Sequence, residues 1–161
     1  MVHPLFPIEQ ERSVTYKLMQ VKSPAFKDNE YIPERFTCDG VNVNPELNVE
    51  HIPEEAKSLA VILDDPDAPA KVWVHWVIWN IPVTHHLKEN FPRGNQGIND
   101  FGKAIYCGPC PPAGAHRYYF KVYALDCILE LSAKSRKADL EKAMGGHIIG
   151  FGELIGIYKK K

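Results

Sequence analysis

The chain has no surplus of charge of either sign. Its 19 lysines and arginines are balanced by 20 aspartates and glutamates, which gives a formal net charge of −1 at pH 7. A protein that neutralises the phosphates of a nucleic acid needs a basic face, and this composition does not supply one. Nucleic acid is therefore not an expected partner.

Long apolar runs are also missing. No stretch of the sequence reaches the roughly 20 apolar residues that a transmembrane helix requires. The N-terminal segment MVHPLFPIEQERSVTY has prolines and charges where a signal peptide has its apolar region. We therefore expect a cytoplasmic protein with no transmembrane segment. Its length predicts a single domain over residues 1–161, in which residues 1–13 form an irregular lead-in.

The common catalytic and metal-binding motifs are absent or incomplete. No Gly-x-Ser-x-Gly sequence is present. Cys107-Gly-Pro-Cys110 has the spacing of a redox motif, but two prolines follow it where that motif needs a helix. No second Cys-x-x-Cys accompanies it, so zinc is not expected. We expect no metal, no cofactor and no enzymatic activity.

The 4 cysteines are an ordinary number for a protein of a reducing compartment. No disulfide framework is required for stability on this basis. A bridge is left open as a possibility for a protein of a thermophile.

The stretch from Ser58 to Pro82 organises the rest of the chain. Leu59–Leu63 is short, apolar and partly β-branched, which predicts a buried strand ending at an Asp-Asp-Pro-Asp-Ala-Pro sequence. Val72–Ile81 carries three tryptophans among β-branched residues and predicts a second strand. Because side chains alternate along a strand, we expect one face to hold Trp73, His75, Val77 and Trp79.

Three further segments have the pattern of strands: Val14–Val21, His116–Asp126 and His147–Tyr158. Ser135–Met144 predicts the one convincing helix, with Ser135 as its cap. Crossover helices are missing, which favours a mostly β sandwich over a parallel α/β fold. The long polar connection 83–102 could cover a functional site.

Several separated motifs resemble the phosphatidylethanolamine-binding protein family, which is also known for Raf kinase inhibitor protein. They are Asp65-Pro66-Asp67-Ala68-Pro69, Trp73-x-His75, Gly108-Pro-Cys-Pro-Pro-x-Gly-x-His116-Arg117-Tyr118 and, as in the bacterial and archaeal branch, Phe36-Thr37-Cys38-Asp39-Gly40. The resemblance extends from about Ile32 to Tyr158. It implies a Greek-key β-sandwich of two antiparallel sheets with one short C-terminal helix.

The resemblance also implies a function. Family members bind phosphate-like anions or phospholipid head groups in a small surface pocket, without catalysis, and this binding is one way to regulate a partner. The matching positions here are Asp65, Pro69, Trp73, His75, Pro111, Pro112, His116 and Tyr118. Family members are also described as inhibitors of serine proteases or kinases, for which the segment Pro109–Gly114 is the candidate contact. The resemblance further implies a homodimer and a cis peptide bond before Pro69.

The chemistry of these residues fits an anion site. Two imidazoles on separate strands can donate hydrogen bonds to one ligand if the strands are neighbours, and both become cationic at mildly acid pH. Asp65 is expected to accept a hydrogen bond from an imidazole and fix its orientation, or to contact the ammonium of an ethanolamine head group. Asp64 and Asp67 are interpreted as turn residues.

Two interpretations compete with binding. A carboxylate and two imidazoles are adequate for acid–base catalysis, but no nucleophile motif accompanies them. A histidine on a strand is otherwise most simply a hydrogen-bonded core residue. Three other histidines, His85, His86 and His147, receive no predicted role.

Overall fold

The strands of the protein form two sheets in the computed structural model, which describes residues 16–91 and 93–161. The strands are β1 (Lys17–Leu18), β2 (Gln20–Lys22), β3 (Glu30–Tyr31), β4 (Leu47–Glu50), β5 (Ser58–Asp65), β6 (Trp73–Ile81), β7 (His86–Leu87), β8 (Asn95–Gln96), β9 (Ala115–Leu125) and β10 (Ile148–Lys159). A 3-10 turn covers Glu34–Phe36, and the helix α1 covers Lys137–Met144. The predicted mostly β fold of two sheets with one late helix is confirmed.

The larger sheet has the strand order β1-β10-β9-β5-β6-β8, and β3 also pairs with β10. Neighbouring strands are antiparallel except for β1 and β3, which pair in parallel with two separate parts of β10. The smaller sheet has the order β2-β4-β7 and is antiparallel. The predicted strand Val14–Val21 therefore divides, where it is described, between the two sheets.

Strand β5 is buried along its whole length because apolar layers cover both of its faces. One layer contains Leu63, Phe120 and Leu47 of the smaller sheet. The other contains Ile62, Tyr123 and Leu140 of α1. A strand covered on both sides shows a continuous apolar run instead of alternation, which explains the pattern of residues 59–63.

Two irregularities in β6 overturn the predicted alternation along that strand. Pairing with β5 shifts register between Leu63 and Asp64 and again between Leu59 and Val61. Trp76 and Ile78 consequently lie in the layer shared with the smaller sheet, whereas Val77 and Trp79 lie in the layer under α1. A bulge inserts one residue and reverses every side chain beyond it. The predicted face was therefore wrong for Val77 and Trp79.

The helix begins two residues later than predicted, and Ser135 does not cap it. The first helical residue is Lys137, and the backbone N–H of Arg136 donates to Asp139 Oδ2 at 2.9 Å. Ser135 is buried, and its carbonyl accepts the N–H of Ile98 at 2.8 Å. No helix in the described parts of the chain is long and apolar enough to cross a membrane.

Asp64 ties the helix to the sheet, so its interpretation as a turn residue was wrong. Its side chain is 1% exposed, and Oδ2 accepts from Lys121 Nζ at 3.1 Å and from Lys137 Nζ at 2.8 Å. Two cations against one buried carboxylate satisfy the requirement that buried charges be paired.

A disulfide joins Cys38 to Cys110 across 72 residues of sequence. It links the loop after the 3-10 turn to the proline-rich segment before β9. The same two segments are joined by a hydrogen bond from Cys38 N to Pro109 O at 3.1 Å. Cys107 and Cys127 are free, so Cys107 and Cys110 do not form the redox pair that their spacing resembles.

We predict that the double variant Cys38→Ser/Cys110→Ser loses about 4 kcal/mol of unfolding free energy, because a loop of this length is no longer closed in the unfolded chain. Guanidinium unfolding measures the difference. Cys107→Ser is the matched control, since Cys107 is free, and it should unfold within about 0.5 kcal/mol of the parent. A double variant as stable as the parent would contradict the prediction.

Candidate functional site

A cavity of about 300 Å³ lies where β5, β6 and β9 meet the proline-rich segment before β9. All eight sequence-predicted residues line it: Asp65, Pro69, Trp73, His75, Pro111, Pro112, His116 and Tyr118. Ala68, Ala70, Phe101 and Cys110 complete the wall. The walls are chiefly aromatic rings, prolines and alanines, and the polar groups are few, which is typical of small-molecule sites.

Asp65 and His116 form the most buried polar pair of the cavity. His116 Nδ1 lies 2.6 Å from Asp65 Oδ2, and the two side chains are 9% and 4% exposed. The other carboxylate oxygen, Oδ1, accepts the backbone N–H of Asp67 at 2.8 Å. Because Asp65 accepts at Nδ1, the nitrogen of His116 that is left for a ligand is Nε2. The expected contact between Asp65 and an imidazole is present.

His75 is fixed by the backbone of the proline-rich segment. Its Nδ1 lies 2.7 Å from the carbonyl of Cys107 and 3.1 Å from that of Gly108. Carbonyls only accept, so Nδ1 carries the proton and Nε2 is again the nitrogen left for a ligand. Burial lowers the pKa of His75 below its usual 6.5, although the Cys107 carbonyl and the Asp65 carboxylate act in the opposite direction.

Gly108 makes this approach possible. A Cβ at this position would collide with the carbonyl oxygen of Phe36, and its backbone N–H donates to Asn42 Oδ1 at 2.7 Å. Only glycine allows the backbone to approach so closely. The carbonyls that hold His75 belong to Cys107 and Gly108, so the Cys38–Cys110 disulfide anchors the same segment.

Tyr118 brings a buried hydroxyl to the cavity. The residue is 0% exposed, and its hydroxyl lies beside the Asp65 carboxylate and the backbone of Cys110. Burial and the neighbouring Asp65 carboxylate raise the pKa of Tyr118 well above its usual value, so the hydroxyl stays protonated. The ring contacts His75 edge-on, with centroids 5.3 Å apart.

Asp67 does not line the cavity. It lies in the turn after β5, as expected, but its carboxylate binds a distant arginine and not local backbone donors. Oδ2 accepts from the backbone N–H and from Nε of Arg117 at 2.9 Å each, and Oδ1 accepts from Nη2 of Arg117 at 2.8 Å. The Arg117 guanidinium holds the pKa of Asp67 below its usual value. This ion pair fastens the turn to β9.

Phe101 is an aromatic residue of the cavity wall that the motifs did not identify. It is 42% exposed and packs edge-on against Trp73 and His75, with ring centroids 5.7 and 5.3 Å apart. The length of the connection 83–102 was the only sequence signal that pointed to it.

Hydrogen bonds of the buried Asn99 side chain hold the turn that carries Phe101. The side chain is 1% exposed. Its Nδ2 donates to the carbonyls of Ile105 at 2.8 Å and His75 at 3.2 Å. Its Oδ1 accepts the backbone N–H groups of Phe101 at 2.9 Å and Lys103 at 3.1 Å. One amide therefore connects strand β6 to the turn that carries the aromatic wall.

The expectation of a cis peptide bond before Pro69 was wrong. No described residue has a cis peptide bond, and Pro69 is among the described residues. Pro69 nevertheless lines the cavity, because the turn after β5 is held by the Asp65 and Asp67 side chains.

The fold occurs in solved structures of other proteins. The chain superposes on a Chlamydia trachomatis protein described as a phosphatidylethanolamine-binding protein homologue, with a TM-score of 0.86 and 41% identity, covering 90% of this chain and 99% of that one. Escherichia coli YbcL, described as a member of the mammalian PEBP family, gives a TM-score of 0.82 and 33% identity, covering 89% and 99%. The fold class is therefore that of the PEBP homologues.

Sequence comparison agrees with the structural match. The family model described as phosphatidylethanolamine-binding protein matches residues 22–159. A UPF0098 protein of Methanothermobacter thermautotrophicus is 51% identical over 150 residues, covering 88% of this chain and 99% of that protein. A UPF0098 protein of Chlamydia muridarum is 44% identical and covers 88% and 99%. The chain belongs to the phosphatidylethanolamine-binding protein family.

We predict that Asn99→Ala lowers the free energy of unfolding by about 2–4 kcal/mol, because it leaves several buried backbone groups without partners. Urea unfolding measures the loss. Asn95→Ala is the matched control, since the amide of Asn95 is exposed and accepts one hydrogen bond from Asn80. Equal losses in the two variants would show that Asn99 does not hold the turn.

Proposed function

We propose that this protein is a binding protein for small anions of the phosphate or carboxylate type, including phospholipid head groups, and that the ligand occupies the cavity lined by Asp65, His75, His116 and Tyr118. The observation that carries the proposal is the set of polar groups that the fold leaves without a partner there. His75 and His116 use only Nδ1 for hydrogen bonds to the residues that the structure describes, so both Nε2 atoms are left for a ligand.

The tautomers of the two histidines determine how an anion is bound. Both Nδ1 atoms donate inside the protein, so each neutral ring offers only a lone pair at Nε2, which repels an anion. An anion therefore binds when a proton is added, either to Nε2 or to the ligand. We infer that binding of the ligand is coupled to proton uptake.

The walls determine the size and shape of the ligand. About 300 Å³ is at the small end of the range for ligand pockets. Trp73 and Phe101 form one aromatic side and Pro111 and Pro112 lie on another. This supports a small anionic group that carries a short organic substituent, with the anion against the histidines and the substituent against the rings.

We predict that sulfate binds more tightly as pH falls from about 8 to about 5.5. Sulfate keeps its charge over this range, so any pH dependence reports protons taken up by the protein. The lowered pKa of His75 places its protonation below about pH 6.5, and a bound anion raises that pKa. Affinity should rise by up to about tenfold per pH unit for each coupled proton. Calorimetric titrations at several pH values measure the slope.

Substitutions of the two histidines test whether the pH dependence of sulfate affinity arises in the cavity. His75→Gln and His116→Gln should each weaken sulfate binding by at least about tenfold at pH 6 and reduce the slope, because a charge-assisted hydrogen bond is lost. His51→Asn is the control, since His51 is exposed and has a φ of 65°, which asparagine adopts readily. Absence of saturable sulfate binding by the parent, or equal weakening in His51→Asn, would overturn the proposal.

Inhibition of a serine protease or kinase through Pro109–Gly114 stays a prediction. Pro112, Ala113 and Gly114 are exposed at the rim of the cavity, so a partner bound there would compete with an anion in the cavity. Slowing of a trypsin-like or chymotrypsin-like protease by excess protein, relieved by sulfate, would support it. The homodimer and the cytoplasmic location also stay predictions.

A further inference from the structure

A second group of ligating side chains lies at the far end of β9 from the cavity. Asp126 and Cys127 follow the last residue of β9, and His147 precedes the first residue of β10. One ligating atom from each of the three side chains lies within 4.8 Å of the other two. His147 Nδ1 is 2.8 Å from Asp126 Oδ1. None of the three lines the cavity.

The fold holds these three residues by their backbones. Strands β9 and β10 are neighbours, and the pairing continues past the strand ends through a hydrogen bond from Asp126 N to His147 O at 3.1 Å. The carbonyl of Cys127 accepts from Ser58 Oγ at 2.7 Å, and His147 N donates to the carbonyl of Met144 at 2.9 Å. The ligating atoms are therefore brought together by the two neighbouring strands and by the end of α1.

We propose that Asp126, Cys127 and His147 bind a divalent transition-metal ion of the zinc type. Thiolate, imidazole and carboxylate are the ligands of zinc in proteins, and thiolate disfavours calcium and magnesium. Three protein ligands leave the fourth tetrahedral position to water. The side chains of Asp126 and His147 are 42% and 46% exposed, so that position is open to solvent and the ion can enter.

The position of the site indicates what the ion does. Residues 126–147 connect β9 to its neighbour β10 and include α1. The three ligands lie at the two ends of this connection. An ion that binds both ends in the folded state, and not in the unfolded chain, stabilises the folded state by mass action. The ion thus stabilises the connection that contains α1 and does not take part in anion binding.

Sequence reasoning did not find this site because two of its ligands are adjacent and the third follows the helix. The Cys107-Gly-Pro-Cys110 pair is the cysteine pair with a metal-site spacing in the sequence, but Cys110 forms a disulfide with Cys38. The thiol available beside a histidine and a carboxylate is that of Cys127.

Cobalt(II) is the probe, because a thiolate ligand gives a charge-transfer absorption in the near ultraviolet and tetrahedral coordination gives strong visible bands. The purified full-length protein, with its disulfide intact, is titrated with cobalt(II) at pH 7.5. We expect both absorptions to saturate at one equivalent, zinc to remove them and a large excess of magnesium to leave them. Absence of a thiolate band at saturating cobalt overturns the proposal.

Two serine variants decide which thiol binds. Cys127→Ser should abolish the charge-transfer band, whereas the matched control Cys107→Ser, which removes the other free cysteine, should retain it. His147→Asn should weaken cobalt binding at least about tenfold. A band that persists in Cys127→Ser, or that disappears in Cys107→Ser, overturns the assignment. Far-ultraviolet circular dichroism confirms that each variant is folded.

Thermal unfolding tests the stabilising role separately. One equivalent of zinc should raise the midpoint of the parent and of Cys107→Ser, and leave that of Cys127→Ser unchanged. Equal shifts in all three proteins would show that zinc acts elsewhere. Sulfate binding is independent of these outcomes, since the two sites share no residue.

Discussion

The pairing register of β5 with β6 and β9 is the constraint on which the candidate site depends. Leu63 lies opposite Phe120 on one side and Trp76 on the other. This register brings Asp65, at the end of β5, to 2.6 Å from His116 near the start of β9. Because side chains alternate, a slip of one residue between β5 and β9 would turn His116 and Tyr118 away from Asp65. Both faces of β5 are apolar, so the polar residues at its end fix the register: a slip of one residue would separate Asp64 from its lysines and Asp65 from His116.

Adjacent aspartates at the end of β5 serve opposite faces of the sheet. Asp65 orients His116 in the cavity, whereas Asp64 points the other way and binds Lys121 and Lys137. The lysines anchor the helix under the sheet. These two adjacent residues thus support the cavity on one face and the packing of α1 on the other. Each buried carboxylate is tolerated because it has a partner.

The cavity is closed by segments that the sheet does not contain. The proline-rich segment holds His75 through two carbonyls and is itself held by the Cys38–Cys110 disulfide and by Asn42. The turn that carries Phe101 is held by Asn99. Rigid supports of this kind keep the two histidines and the tyrosine in place without a ligand, so less ordering is required when an anion binds.

The sequence by itself determined the strands β5, β6, β9 and β10 and the late helix, and its resemblance to a known family implied the eight residues that line the cavity. Strand patterns and short motifs are local, so they can be read along the chain. Tertiary structure decided the bulges of β6, the cysteine pairing, the role of Asp64, the place of Phe101 and the meeting of Asp126, Cys127 and His147. Each of these depends on contacts between residues far apart in the chain, and the side that a bulged strand presents is set by the layers packed against it.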